Sequence, residues 1–282
     1  MLPSPATEPT VLVFDSGLGG LTVFREIAAA RPDARFVYLA DDAAFPYGDL
    51  AEDALIARVL AVLGDAIGRQ KPDLVVVACN TASTLALKDL RERFAVPFVG
   101  TVPAIKPACA QSQSKLIAVL GTLATVSREY TKALIREFAG DCEVVLVGSP
   151  RLAGFAEAEL AGAPIADAEI AAEIAPCFVE RQGRRADTVV LACTHYPLLL
   201  ARFRALAPWP VDWLDPAPAI ARRVADLLRA RPEAAALPPA PRILFTSGRD
   251  PAPRLAEALA GYGFPAAAQG PEGSFDSRTI GP

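Results

Sequence analysis

Two cysteines in this chain stand where hydrophobic runs stop. Asp73-Leu74-Val75-Val76-Val77-Ala78 leads into Cys79-Asn80-Thr81, and Asp187-Thr188-Val189-Val190-Leu191-Ala192 leads into Cys193-Thr194-His195. The valines alone suit any buried strand, but packing does not require a thiol followed by hydroxyl side chains at the strand end. A thiolate is an effective base when its pKa lies near ambient pH, and a helix N-terminus lowers that pKa. One thiolate and one thiol on opposite faces of a stereogenic carbon can take a proton from one side and deliver one to the other, which inverts the centre. The remaining cysteines, Cys109, Cys142 and Cys177, read as small buried hydrophobes.

Other polar residues gather at comparable points: Asp15 and Ser16, Asp41 and Tyr47, and Thr122 each follow a short apolar run. Asp15 can cap the next helix, or offer its carboxylate to a neighbouring thiol or a substrate ammonium. His195 is the only histidine, and beside Cys193 it reads as a group that tunes the thiol or binds a carboxylate. Glu157, within Gly154-Phe155-Ala156-Glu157-Ala158-Glu159, reads from composition as solvent-facing helix charge. Gly17-Leu18-Gly19-Gly20 lacks the last glycine of a G-x-G-x-x-G turn, and no Walker lysine follows it. Such a turn permits close backbone approach to a small carboxylate without a nucleotide.

Residues of this kind can converge only if the strands carrying them end together. Runs rich in Val, Leu and Ile predict strands at 11–14, 36–39, 74–78, 116–120, 144–147, 188–192 and 243–246. The amphipathic segments between them predict helices at 21–30, 51–70, about 83–94, 127–138, 152–160, 167–182, about 197–206 and 220–229. The alternation predicts an α/β chain of two doubly wound, mainly parallel-sheet domains in tandem, with the site in the cleft between their strand ends. Residues 1–100 plus 210–282 are expected to form the first domain and 101–209 the second, with 1–10 and 269–282 disordered.

Composition narrows the function classes. With 282 residues, 52% hydrophobic and 21% charged, the chain is too apolar for disorder and long enough for buried cores. No apolar run approaches the roughly 20 residues of a membrane span, and the first ten residues lack the basic and apolar regions of a signal peptide. A soluble, cytoplasmic protein with no membrane partner is expected. Asp and Glu number 32 against 28 Lys and Arg, so there is no basic footprint for nucleic acid. Five cysteines without a Cys-x-x-Cys pair suggest neither a disulfide framework nor a zinc cluster, so free thiols and no metal are expected.

Four ordered segments carry a family resemblance: Val13-Phe14-Asp15-Ser16-Gly17-Leu18-Gly19-Gly20, Ala40-Asp41-Asp42-Ala43-Ala44-Phe45-Pro46-Tyr47-Gly48, Ala78-Cys79-Asn80-Thr81-Ala82-Ser83, and Ala192-Cys193-Thr194-His195-Tyr196-Pro197-Leu198-Leu199. Together they resemble the glutamate racemase family of the aspartate/glutamate racemase superfamily over residues 11–217. The resemblance implies two α/β domains around the active site and cofactor-independent interconversion of L- and D-glutamate by two cysteines. It implies that Cys79 takes the proton from D-glutamate and Cys193 from L-glutamate. Asp15 would assist Cys79, and Glu157 and His195 would assist Cys193. Asp15, Ser16, Tyr47, Gly48, Asn80, Thr81, Thr194 and His195 match positions that hold substrate. Supply of D-glutamate for peptidoglycan, a cytoplasmic location and a homodimer are further implications. Around Glu157, Gly148-Ser149-Pro150-Arg151 and Gly154 depart from the family's more usual pattern. Alternatives are an aspartate or hydantoin racemase, a decarboxylase or maleate isomerase of the same fold, and a binding protein without catalysis.

Overall fold

The structure, a computed structural model, describes residues 8–228 and 238–265. Its first half begins β1 (Thr10–Asp15), α1 (Leu21–Ala30), β2 (Arg35–Ala40), α2 (Glu52–Gln70), β3 (Leu74–Val77), α3 (Asn80–Arg93), β4 (Phe98–Gly100) and α4 (Ile105–Gln111). There follow β5 (Leu116–Gly121), α5 (Leu123–Ser127), α6 (Glu129–Phe138), β6 (Glu143–Gly148), α7 (Leu152–Leu160) and α8 (Asp167–Ile174). The chain closes with β7 (Glu180–Arg181), β8 (Arg184–Arg185), β9 (Thr188–Ala192), α9 (Leu200–Leu206), β10 (Asp212–Leu214), α10 (Ala217–Leu228), β11 (Arg242–Phe245) and α11 (Pro253–Ala260).

Two parallel sheets result. The first has the order β11-β2-β1-β3-β4 and the second β10-β9-β5-β6, and every pairing within them is parallel. Helices cover both faces of each sheet, which is why their central strands read as unbroken apolar runs. In β1, Val11 and Val13 pack toward α1 and α10, whereas Leu12 and Phe14 pack toward α2 and α3. In β5, Ala118 and Leu120 face α7, α8 and α9, and Ile117 and Val119 face α4 and α6. The strand order turns back between β1 and β3 in one sheet and between β5 and β9 in the other. Loops at such reversals splay apart and leave a crevice at the strands' carboxyl ends.

The structure corrects several expectations. Thr10, placed in a disordered arm, starts β1, and its N–H donates to Asp73 Oδ2 at 2.8 Å. Residues 1–7, 229–237 and 266–282, including the tail expected to be disordered, lie outside the described residues. A switch back to the first sheet at 210 is too early, because β10 pairs with β9 and the chain returns only through α10 and β11. The helix expected over 127–138 is two helices with extended backbone at Arg128, φ −69° and ψ 146°. The helix expected over 167–182 stops at Ile174, where Pro176 follows, and β7 and β8 form a hairpin. Gln182 and Gly183, both at positive φ, make its two-residue turn.

Candidate active site

Each reversal in strand order presents one cysteine to the same cleft. Asp15 is the last residue of β1 and Ser16 follows it, while Cys79 precedes the first turn of α3 beyond β3. Thr122 follows β5 and Cys193 follows β9. The cleft encloses about 300 Å³ of space, part of it open to solvent, and Cys79 and Cys193 both line it. Ser16, Tyr47, Gly48, Asn80, Thr81, Thr194 and His195 line it as well. Of the residues expected to act, Asp15 and Glu157 lie behind this lining.

The Cys79 side is held as a thiol. Its sulfur lies 3.5 Å from Ser16 Oγ, a hydrogen bond that favours the thiolate. Burial and the charge of Asp15 outweigh it and push the Cys79 pKa up to about 12. The helix N-terminus, expected to lower this value, does not prevail against a fully buried sulfur. Asp15 is itself raised above its ordinary value, chiefly by burial; the charge of His195 and the hydrogen bonds of Thr194 and Gly17 hold it down in part. Thr194 Oγ1 donates to Asp15 Oδ2 at 2.9 Å and the Gly17 N–H to Oδ1 at 3.0 Å. Asp15 therefore does not cap α1, whose first turn starts after Gly20 without a side-chain cap.

The Cys193 side is built differently. His195 Nδ1 lies 3.8 Å from the Cys193 sulfur, and His195 Nε2 lies 2.8 Å from Glu157 Oε1. The same Glu157 oxygen accepts the Leu18 N–H at 2.6 Å, from the other sheet's loop. Burial works against a charged imidazole here, yet the hydrogen bonds and negative charges of Cys193 and Glu157 outweigh it and hold the His195 pKa well above 6.5. Glu157 is accordingly no solvent-facing helix charge: its side chain is 23% exposed and turned into the chain of contacts that ends on Cys193.

Between the thiols lie polar groups suited to a small anionic ligand. Asn80 is buried, and both its amide atoms lack a hydrogen-bond partner in the protein. Such groups are costly to leave unmet unless something enters the site. Thr81 Oγ1 lies 3.4 Å from the hydroxyls of Thr122 and Thr125, and the Thr81 carbonyl accepts from Arg128 Nη1 at 3.1 Å. Tyr47 lines the cleft, but its hydroxyl is committed to Asp41. Thr122, singled out at a strand end but given no role, is a lining residue, as are Phe45, Pro46 and Ala153. Arg128 was not singled out at all; its signal, a cation inside an expected helix, is visible only once α3 lies beside it.

Among the described residues no helix is long and apolar enough to cross a membrane. The chain matches the Asp/Glu/hydantoin racemase family model over residues 21–224. It is 52% identical to the glutamate racemase of Brucella canis over 262 residues, 93% of this chain and 95% of that one. Its structure resembles that of Escherichia coli glutamate racemase, solved with L-glutamate and the activator UDP-MurNAc-Ala, with a TM-score of 0.84 at 40% identity over 92% of this chain and 96% of that one. Glutamate racemase from Thermus thermophilus, solved with β-chloro-D-alanine, matches with a TM-score of 0.66 at 31% identity over 89% and 93% of the two chains. With a family model spanning more than half its length and relatives matched almost end to end, the chain belongs to the Asp/Glu/hydantoin racemase family, in its glutamate racemase branch.

Proposed function

We propose that this racemase inverts glutamate by exchanging its α-proton between two thiols, without a cofactor. Cys193 takes the proton from L-glutamate while Cys79 delivers one to the opposite face, and the roles reverse for D-glutamate. The observation that carries this reading is the pair of unlike thiols on one cleft: burial and Asp15 keep Cys79 protonated, while a charged His195 stands beside the Cys193 sulfur. The two walls therefore differ: one holds a protonated thiol, and the other a sulfur 3.8 Å from a charged imidazole.

The carbanion between the two transfers needs hydrogen-bond donors aimed at its carboxylate in a site with little water. Ser16, Thr81 and Thr194 offer hydroxyls there, the start of α3 offers backbone N–H groups, and the unpaired Asn80 amide can meet a substrate carboxylate. Glu157 acts through His195, holding its ring toward Cys193, and Asp15 acts through its charge on the Cys79 side. Tyr47 and Gly48 help line the cleft. The product D-glutamate serves peptidoglycan synthesis in the cytoplasm, and the working species is a homodimer.

The test follows optical rotation of L-glutamate, D-glutamate and L-aspartate, with α-deuterium incorporation in heavy water. Both glutamates should racemise with deuterium uptake, and aspartate should not. Cys79→Ser and Cys193→Ser should each abolish racemisation; full activity in either variant removes the two-thiol assignment.

A further inference from the structure

In the glycine turn Gly17–Gly20, Gly17 and Gly19 face Glu157 and His195 of the other sheet at close range, while Gly20 faces Tyr38, Asp15 and Ala78 of its own. A Cβ on Gly17 would stand 2.4 Å from Glu157 Oε1 and 3.3 Å from His195 Nε2. A Cβ on Gly19 would stand 2.4 Å from His195 Nδ1 and 2.6 Å from both its Cγ and its backbone nitrogen. Between these two glycines, the Leu18 N–H donates to Glu157 Oε1 at 2.6 Å, the oxygen that also meets His195 Nε2. One helical turn further, Thr22 Oγ1 reaches the Thr194 carbonyl at 3.4 Å. Neither Gly17 nor Gly19 has a positive φ, so the turn's geometry alone does not call for glycine there.

We infer that the Gly17–Gly20 turn is a positioning element for the Cys193 side of the reaction: Gly17 and Gly19 leave room for Glu157 and His195, and the Leu18 N–H fixes the carboxylate that turns the imidazole toward Cys193. The inference rests on the two-thiol reading and deepens it. The contacts join α7 and the end of β9 to the loop after β1, so the Cys193–His195–Glu157 chain is completed only by residues from both sheets. The charged or titratable groups acting on His195 are Cys193 beyond β9, Glu157 on α7 and Asp15 at the end of β1. This turn touches Glu157 directly and Cys193 only through His195.

The variants Gly17→Ala and Gly19→Ala test this in the full-length, untagged chain, with Gly154→Ala as control, since nothing lies within 4 Å of a Cβ there. Ordinary contact begins at 3.4 Å, so an added methyl on Gly17 must displace the Glu157 tip by about 1 Å, a misplacement that costs on the order of 10²-fold in rate. Gly17→Ala meets mainly side-chain tips and is the milder change; Gly19→Ala also meets the backbone of His195. Because a racemase has an equilibrium constant of unity, kcat/KM must fall equally in both directions, so the diagnostic is the primary isotope effect with each α-deuterated enantiomer. Slowing transfer at Cys193 should raise the isotope effect with L-glutamate and lower that with D-glutamate, where the same step becomes the second one. The single histidine supplies an independent readout that needs no turnover: its ¹⁵N resonances should titrate at lower pH in Gly17→Ala than in the wild type. Wild-type activity with wild-type isotope effects and titration in Gly17→Ala would overturn the inference, as would isotope effects that move the same way for both enantiomers. Failure of the two-thiol reading itself is visible separately, in the serine variants of the unmodified turn.

Discussion

The Thr194 hydroxyl donates to Asp15 Oδ2 at 2.9 Å, joining the ends of strands in two different sheets through one buried hydrogen bond. It accounts for only part of the cost of burying Asp15, whose pKa stays above the ordinary 3.8. Over a pH interval starting near 3.8 the folded chain therefore holds a proton that the unfolded chain has released, and stability from this site falls as pH rises through the folded-state value. Asp15→Asn removes that loss while keeping a group that can bond both Gly17 and Thr194. The variant should melt at or above the wild-type temperature at neutral pH, with the advantage shrinking toward acid pH. Its racemisation should fall on the order of 10²-fold or more. Scanning calorimetry beside polarimetry checks both; an advantage over wild type that grows toward acid pH would contradict the assignment.

Asp41 is fully buried and accepts Arg58 Nε and Nη2 at 2.9 and 2.6 Å, the Thr246 hydroxyl at 2.6 Å and the Tyr47 hydroxyl. Arg58→Met leaves that carboxylate with hydroxyl partners alone. Arg58 is 22% exposed, so water can replace part of the loss, and the expected destabilisation is about 3 kcal/mol, the low end for breaking a buried pair. Because Tyr47 and Gly48 border the cleft, KM should rise as well. Urea unfolding and steady-state kinetics measure these; a stability change below about 1 kcal/mol with unaltered KM would separate the pair from the site.

The strands and both cysteines were legible because a strand covered on both faces must be apolar throughout, so a thiol and hydroxyls at its end stand out. Glu157 was legible only through the family resemblance, not from its own composition. Its partners, Leu18 and His195, lie 139 and 38 positions away, and composition reports only that a helix carries charge. The Gly17–Gly20 turn was legible as a place of close approach but not as to what approaches, since a missing Cβ serves a ligand and a neighbouring imidazole alike. Arg128 interrupts an amphipathic run to reach the Thr81 carbonyl, a tertiary contact that overrides helix periodicity. The β7–β8 hairpin was a different case: Pro176 and Gln182-Gly183 were readable stop and turn signals, set aside in favour of helical spacing.

Alkylation should distinguish the two thiols. Thiolate, not thiol, is the nucleophile, and burial with the Asp15 charge pushes Cys79 up to about 12. Burial alone does the same to Cys177. Brief treatment with iodoacetamide at neutral pH should therefore modify Cys193 before either, and D-glutamate should protect it. Peptide mass spectrometry follows the order. Earlier labelling of Cys79 would contradict its assignment as the protonated thiol.

The His195 charge makes a stability prediction with the same pH direction as Asp15 but over a higher window, and here it is the charged form that stabilises the fold. Its pKa in the folded chain is raised above 6.5: burial opposes the charge, but the bonds and charges of Cys193 and Glu157 prevail. Stability from this group is thus fully present below 6.5 and is lost as pH rises through the folded-state value. His195→Gln keeps a polar side chain in the same place without the charge. The melting-temperature gap between wild type and His195→Gln should be widest in mild acid and close as the buffer becomes alkaline, while racemisation is lost throughout. A gap that instead widens with pH would mean that the folded chain holds a neutral imidazole. In that case Cys193 has no cation beside it, and the base on that wall must be generated by substrate binding.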